Sequence, residues 1–277
     1  MLRGMEGSSQ IEYPAQDNPE TPTTGSSRFE CITISSVADL LEDLGGRPDN
    51  RIEWYRGHSD VTYRLLPSLA RPPRSVEAEE TLMKRFKQNA YPFLDGSPFD
   101  DWEWLFLMQH HGAPTRLLDW SDSPLTGLWF AVGDSGQESE DGDGCLWALR
   151  PIDLNVEARL VPSYHLDIPL FGQDQELDNY LPDRLSTMQA NTPAAGIASR
   201  QFRRVVAQMG SFTITHRDQI ALEDMPGGFL TRYLIPAAAK PAVRRELLAL
   251  RVTRLSVFPE LANVAVLAQE GLWPISV

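Results

Sequence analysis

Residues 102–131, WEWLFLMQHHGAPTRLLDWSDSPLTGLWFA, place His110, His111, Arg116, Asp119, Ser121 and Ser123 within an otherwise apolar run. Serine, histidine and aspartate together are the ingredients of a nucleophilic triad. A triad also needs convergence on an oxyanion hole, which residue types within one run do not establish. Adjacent histidines on a helix point about 100° apart, a poor arrangement for sharing one metal ion. One of the two is expected in the core and the other facing a pocket. Arg116 and Asp119 are expected to form an ion pair that fixes the loop between them. A second candidate, Arg56 in RIEWYRGHSD, falls near the mouth of an expected strand, where a side chain is well placed for binding. The chain contains no His-Glu-x-x-His, no paired Cys-His zinc spacing, no Gly-x-Ser-x-Gly and no P-loop pattern. Zinc hydrolases, nucleophile-elbow hydrolases and P-loop enzymes are therefore disfavoured.

The elements that must position these groups are readable in outline. CITI reads as a strand, and Ser36 as the N-cap of a short amphipathic helix closed by Gly45 and Gly46. Aromatic and β-branched residues predict a strand ending at Tyr55-Arg56-Gly57. Residues 75–94 predict a helix with Leu82, Met83 and Phe86 on one side, Glu77, Glu79 and Glu80 in its first turn, and a stop at Pro92. DWEWLFLMQHHG has the length and glycine stop of a helix, and Ser123-Pro124 starts another. CLWALR alternates as a strand does, after an acidic, Gly-rich loop over 133–144. Prolines break the pattern repeatedly through 151–195. A strand resumes around Gly210, and the last section, about 240–270, reads as two short helices broken at Phe258-Pro259. Strands and helices mixed without regular alternation predict an α+β domain over 28–277, with a central, partly antiparallel sheet flanked by helices. Residues 1–27, rich in Pro, Ser, Thr and Gly, read as a flexible tail.

Charge narrows the partners. A net charge of −13 disfavours broad contact with a nucleic-acid backbone, although basic residues cluster at Arg200–Arg204 and Arg244–Arg254 and leave room for a local basic pocket. Two cysteines, Cys31 and Cys145, form no disulfide framework or metal spacing and fit a reducing, cytoplasmic compartment. No signal peptide and no apolar run of membrane-spanning length is apparent. Trp54, Trp102, Trp104, Trp120 and Trp129 are expected mostly in the core, with at most one of Trp102 and Trp104 facing a ligand or base.

WYRGHSDVTYRLLPSLAR followed by WEWLFLMQHHGAPTRLLDWSDSPLTGLWFA resembles the FRG domain, a bacterial and phage-associated family named for its Phe/Tyr-Arg-Gly motif. The likeness runs through aromatic-Arg-Gly-His, Pro-Ser-Leu-x-Arg, Gln-His-x-Gly-x-Pro-Thr-Arg-Leu-Leu-Asp-Trp and an aromatic-Phe-Ala. It extends to RRVVAQMGSFTI and VFPEL, so that it covers roughly residues 30–265. The motif order is in turn similar to that of mono-ADP-ribosyltransferases of the Arg-Ser-Glu type, whose sheet is split.

That resemblance implies NAD as substrate, with no metal. It places Tyr55, Arg56, Gly57, Arg116 and Ser121 on the NAD-binding side, and makes His110, His111, Asp119, Ser123 and Gln208 the catalytic candidates. Arginine suits the first role because its planar fork of donors matches a pyrophosphate and keeps its charge at any working pH; equally, Arg56 would pair with a carboxylate such as Asp119. The late-strand glutamate of such transferases, which stabilises charge at the ribose, has Gln208 in its place, and glutamine supplies no negative charge. Either Asp119 or Glu260 fills that role, or the chain is a ligand-binding or regulatory module that transfers nothing. The family setting implies a toxin or anti-phage effector, with a nucleic-acid or protein acceptor and an antitoxin or regulator as partner. A hydrolase built on His110 and Asp119 is a third reading.

Overall fold

Seven strands divide between two sheets in the computed structural model, which describes residues 28–48, 51–94, 100–133, 142–164, 166–185, 191–198, 210–259, 263–265 and 268. The N-terminal tail, Gln208, Glu260 and the Arg200–Arg204 cluster lie outside the described residues. The first sheet has the order β1 (Glu30–Thr33), β7 (Leu230–Ile235), β4 (Gly144–Leu149) and β2 (Trp54–His58). Its β1–β7 pair is parallel and its other pairs antiparallel. The second is antiparallel, with the order β3 (Leu117–Trp120), β6 (Ser211–Ile214) and β5 (Ala194–Ile197). The partly antiparallel, α+β architecture expected from the sequence is present, organised as two sheets.

Side-chain alternation sorts each strand between layers. On β4 all six residues are buried. Cys145, Trp147 and Leu149 enter a core shared with Leu118 and Trp120 of β3 and Ala195 of β5, whereas Leu146 and Ala148 enter a second core. The first of these cores therefore fills the space between the two sheets. The second packs the outer face of the first sheet against α1 (Val37–Gly45), α4 (Pro124–Val132) and α6 (Lys240–Ala249). A third core covers the far side of the second sheet with α2 (Glu79–Ala90) and α3 (Asp101–His110). Helix α3 is apolar nearly all round and buries Trp102, Trp104, Leu105, Phe106 and Met108, as a helix enclosed on most sides should. Both Trp102 and Trp104 are core residues, so neither faces a ligand.

Backbone-to-backbone approach sets where α4 lies. A Cβ on Gly57 would sit 2.0 Å from the Gly127 carbonyl oxygen and 2.3 Å from the Ala131 nitrogen, and one on Gly127 would sit 2.9 Å from the Tyr55 Cβ. Glycine on both surfaces lets the helix rest directly on β2. Ser123 caps α4, its hydroxyl accepting from the Thr126 N–H, and Pro124 occupies the first turn.

A buried ion pair ties the second sheet to α2. Arg116, fully buried, donates from Nε to Glu79 Oε2 at 2.5 Å and from its backbone N–H to Glu79 Oε1 at 2.9 Å. Its Nη1 donates to the Thr215 carbonyl at 2.8 Å and its Nη2 to the Tyr180 carbonyl. The expected Arg116–Asp119 pair does not form, because Glu79, in the first turn of α2, is itself fully buried and captures the guanidinium. At the C-terminal end α6 stops earlier than the Phe258-Pro259 break. Leu250 closes it, Arg251 turns with φ 62°, and α7 (Arg254–Val257) follows under a Thr253 cap.

Two substitutions test this framework by urea unfolding. Gly57→Ala is expected to destabilise by about 1–3 kcal/mol or more, since the added methyl meets backbone that cannot rotate away. Glu79→Ala is expected to cost about 3–5 kcal/mol by stranding a buried guanidinium. Replacing both partners with apolar residues of similar volume should recover most of that loss.

Candidate functional site

At one end of the seam between the sheets, β2 and β3 meet. Tyr55 and Ser121 form an isolated antiparallel bridge, with Tyr55 N–H to Ser121 O at 2.7 Å and Ser121 N–H to Tyr55 O at 2.9 Å. Arg56, next to Tyr55 on β2, and Asp119, on β3 two residues before Ser121, are brought within bonding distance here. Both line a cleft of about 270 Å³ together with Tyr55, Gly57, Ser121 and Thr126. Trp120, Phe130, Phe212 and the segment Ser256–Phe258 complete its walls.

Arg56 is held on two sides. Its Nη1 donates to the Asp119 carbonyl oxygen at 2.7 Å and lies 3.1 Å from Asp119 Oδ1. Its Nε donates to His58 Nε2 at 3.2 Å, and His58 Nδ1 lies 3.1 Å from the Tyr63 carbonyl. These bonds require the neutral tautomer with its proton on Nδ1. Burial, reinforced by the neighbouring Arg56 charge, pushes the His58 pKa down to about 3, so the ring stays neutral and remains an acceptor. With Nε and Nη1 engaged, Nη2 makes no hydrogen bond among the described residues.

Asp119 is the open partner. Its side chain is 56% exposed, whereas that of Arg56 is 19% exposed. Its recessed position raises the carboxyl pKa, but the charge of Arg56, the backbone N–H of Asp119 and the hydrogen bond from Arg56 outweigh this and hold it below the ordinary carboxylate range. Asp119 is therefore an ionised carboxylate facing a cleft at neutral pH. Gln109 reaches it from the end of α3 at 3.5 Å.

Of the residues singled out in the sequence, Tyr55, Arg56, Gly57, Asp119 and Ser121 come together here. Arg116 does not: all its donor nitrogens face the protein interior, which leaves no donor for a ligand. The hydroxyl of Ser123 caps α4 and does not line the cleft. His111 opens onto a separate groove beside Leu82 and Phe86, with His110 edge-on to it at 5.0 Å between ring centroids, and neither ring lines the cleft. Sequence reasoning missed His58 as the residue that holds Arg56, and missed the wall from the chain's late part. Phe258 packs edge-to-face on Trp129 and Phe130 at 5.9 and 5.7 Å. The signals available were the His of YRGH and the VFPEL motif.

Neutral His58 gives a pH test. An unfolded histidine takes up a proton below a pKa of about 6.5 and the folded one only near 3, so its contribution is full above about 6.5 and is lost as pH falls toward 3. His58→Gln is expected to make unfolding free energy less steep in that window, by up to about 1.4 kcal/mol per pH unit. Identical slopes from denaturation at stepped pH would refute a neutral buried ring.

Comparison with known proteins bears on the same segment. No curated protein and no solved structure matches the chain. The FRG domain model matches residues 51–140, the stretch that supplies β2, α2, α3, β3 and α4. The protein thus carries an FRG domain, and Arg56 and Asp119 both lie within it.

Proposed function

We propose that the Arg56–Asp119 cleft binds NAD and that the protein is an ADP-ribosyltransferase-like enzyme. The observation that carries this reading is a guanidinium and an ionised, exposed carboxylate lining one cleft with hydroxyl and aromatic neighbours. These groups fit a nucleotide: Nη2 of Arg56 is available to an anionic oxygen, Asp119, Ser121 and Thr126 suit sugar hydroxyls, and Phe130 and Phe258 offer apolar faces. NAD supplies a glycosidic bond whose cleavage releases nicotinamide with the bonding electron pair. An acceptor nucleophile then bonds to the ribose carbon and gives up its proton to water. Asp119 takes the electrostatic role left open by Gln208. Its low proton affinity suits stabilising positive charge at the ribose carbon and does not suit removing a proton. The acceptor would be a nucleic acid or a protein. The family resemblance supports the setting of a toxin or anti-phage effector checked by an antitoxin or regulator.

One observation favours a second reading. Arg56 and Asp119 already bond to each other, as they would in a module that binds a ligand without transferring anything.

The two readings separate on labelled NAD offered with RNA, DNA and protein acceptors. Transfer predicts nicotinamide release by the wild type, a fall of about 10²–10³-fold in Asp119→Asn, and loss of NAD binding in Arg56→Ala. The rate should be flat across neutral pH and fall only below the usual carboxylate range of about 3.9, because Asp119 must be ionised. NAD binding without release supports the module, and no NAD binding by calorimetry ends the transferase reading.

A further inference from the structure

On the other side of Arg56 lies a second cleft, of about 380 Å³. It shares Arg56, Gly57, Phe130 and Phe258 with the Asp119 cleft, so the two are contiguous. Three arginines line it, Arg56, Arg71 and Arg254, and no aspartate or glutamate is among its described lining residues. In a chain of net charge −13 this grouping stands out, and the carboxylate that pairs with Arg56, Asp119, lines the neighbouring cleft and not this one.

Arg71 is the least engaged of the three. It follows a short turn, Ser68–Ala70, in the Pro-Ser-Leu-x-Arg motif, and its Nε donates to the Leu66 carbonyl at 2.9 Å. That is its one hydrogen bond among the described residues, and it forms no ion pair there. Burial first, and then the charges of Arg56 and Arg74, lower its pKa, with Asp119 acting in the opposite direction. Arg254 is oriented from the opposite wall by a bond from Nε to Asn263 Oδ1 at 3.1 Å. His58, being neutral, adds no charge of its own but fixes the direction of Arg56.

We infer that Arg71, with Arg56 and Arg254, forms a subsite for a diphosphate group. Planar guanidiniums approaching from several walls match the many acceptor oxygens of a diphosphate, and Arg71 brings donors with no carboxylate partner among the described residues. Because Arg56 serves both clefts, a nucleotide lying across them has its phosphates toward Arg71 and Arg254 and a sugar toward Asp119. This orientation rests on the NAD reading above; the anion subsite does not.

Calorimetry on the full chain tests it with inorganic pyrophosphate, ADP-ribose and NAD as probes. The wild type is expected to bind pyrophosphate with an affinity that falls as salt rises. Arg71→Ala should weaken pyrophosphate and ADP-ribose by about tenfold or more, and Arg71→Lys by less. Asp119→Asn should bind pyrophosphate at least as well as the wild type, since a nearby negative charge is removed. Should Arg71→Ala unfold, Arg71→Gln serves in its place. The subsite is overturned if the wild type does not bind pyrophosphate, or if the Arg71 variants bind it as the wild type does. Arg71-dependent pyrophosphate binding without nicotinamide release leaves the subsite standing and removes the transferase reading. Nicotinamide release with pyrophosphate binding indifferent to Arg71 does the reverse.

Discussion

Two backbone hydrogen bonds between Tyr55 and Ser121 set the geometry on which the cleft depends. The sheets are otherwise separate units, each with its own hydrogen-bond ladder, and side-chain packing between them has no register of its own. The bridge supplies one. With Tyr55 facing Ser121, Arg56 comes within reach of Asp119, two residues before Ser121, and a shift of either strand by one residue would turn one of those side chains to its other face. The bridge is protected in turn by α4, which Gly57 and Gly127 allow to lie directly on β2. Two demands of the Tyr-Arg-Gly sequence are thus one structural requirement. The glycine seats the helix that keeps the strand in place, and the arginine next to it uses that placement.

Why an apolar run contains so many charges has two answers, distinguished by solvent. Arg116 and Glu79 are sealed, every nitrogen of the guanidinium is bonded, and the pair organises elements distant in sequence. Such pairs contribute little net stability over an apolar replacement, but they specify how the parts fit, and losing one partner is costly. Arg56 and Asp119 make the same kind of pair at the mouth of the seam, where the carboxylate is open. There the cost of desolvation is smaller and the pair keeps spare capacity for a ligand. Similar residue types three positions apart, Arg116 and Asp119, therefore do different work because a strand turns them toward different surroundings.

Local signals in the sequence identify most elements that carry the cleft. Ser36, Ser123 and Pro124 mark helix starts by chemistry that acts over three or four residues, and the alternation in CLWALR marks a buried strand. What stays hidden is convergence. Nothing within a few residues of Glu79 shows that it is buried, since its partner lies 37 positions away. The two histidines beside Gln109 look like the reactive groups of their run, yet the end of α3 turns His111 toward another groove while Gln109 reaches Asp119. His58 carries no signal except its place after the glycine, because its role depends on the Tyr63 carbonyl folding back to accept a hydrogen bond from Nδ1. Proline-rich 151–195 is unreadable by periodicity for a related reason: its short helix and strand owe their form to packing against the second sheet, as when Asn155 pairs with the Ala195 backbone.

The arrangement around Arg56 also bears on the direction of any chemistry. One guanidinium touches a neutral imidazole on one side and a carboxylate on the other, so its two sides differ in charge. On the Asp119 side the environment favours a developing positive charge, and on the Arg71 and Arg254 side it favours a bound anion. A ligand with an anionic end and a centre that becomes cationic would be drawn into one orientation by this gradient. Proton transfer is poorly served in the same place. The imidazole is held neutral by burial and the carboxylate is held ionised by its partner, and each pKa has moved away from the value a general acid or base near neutrality requires. As arranged, the two groups are better suited to holding charge in place than to moving a proton.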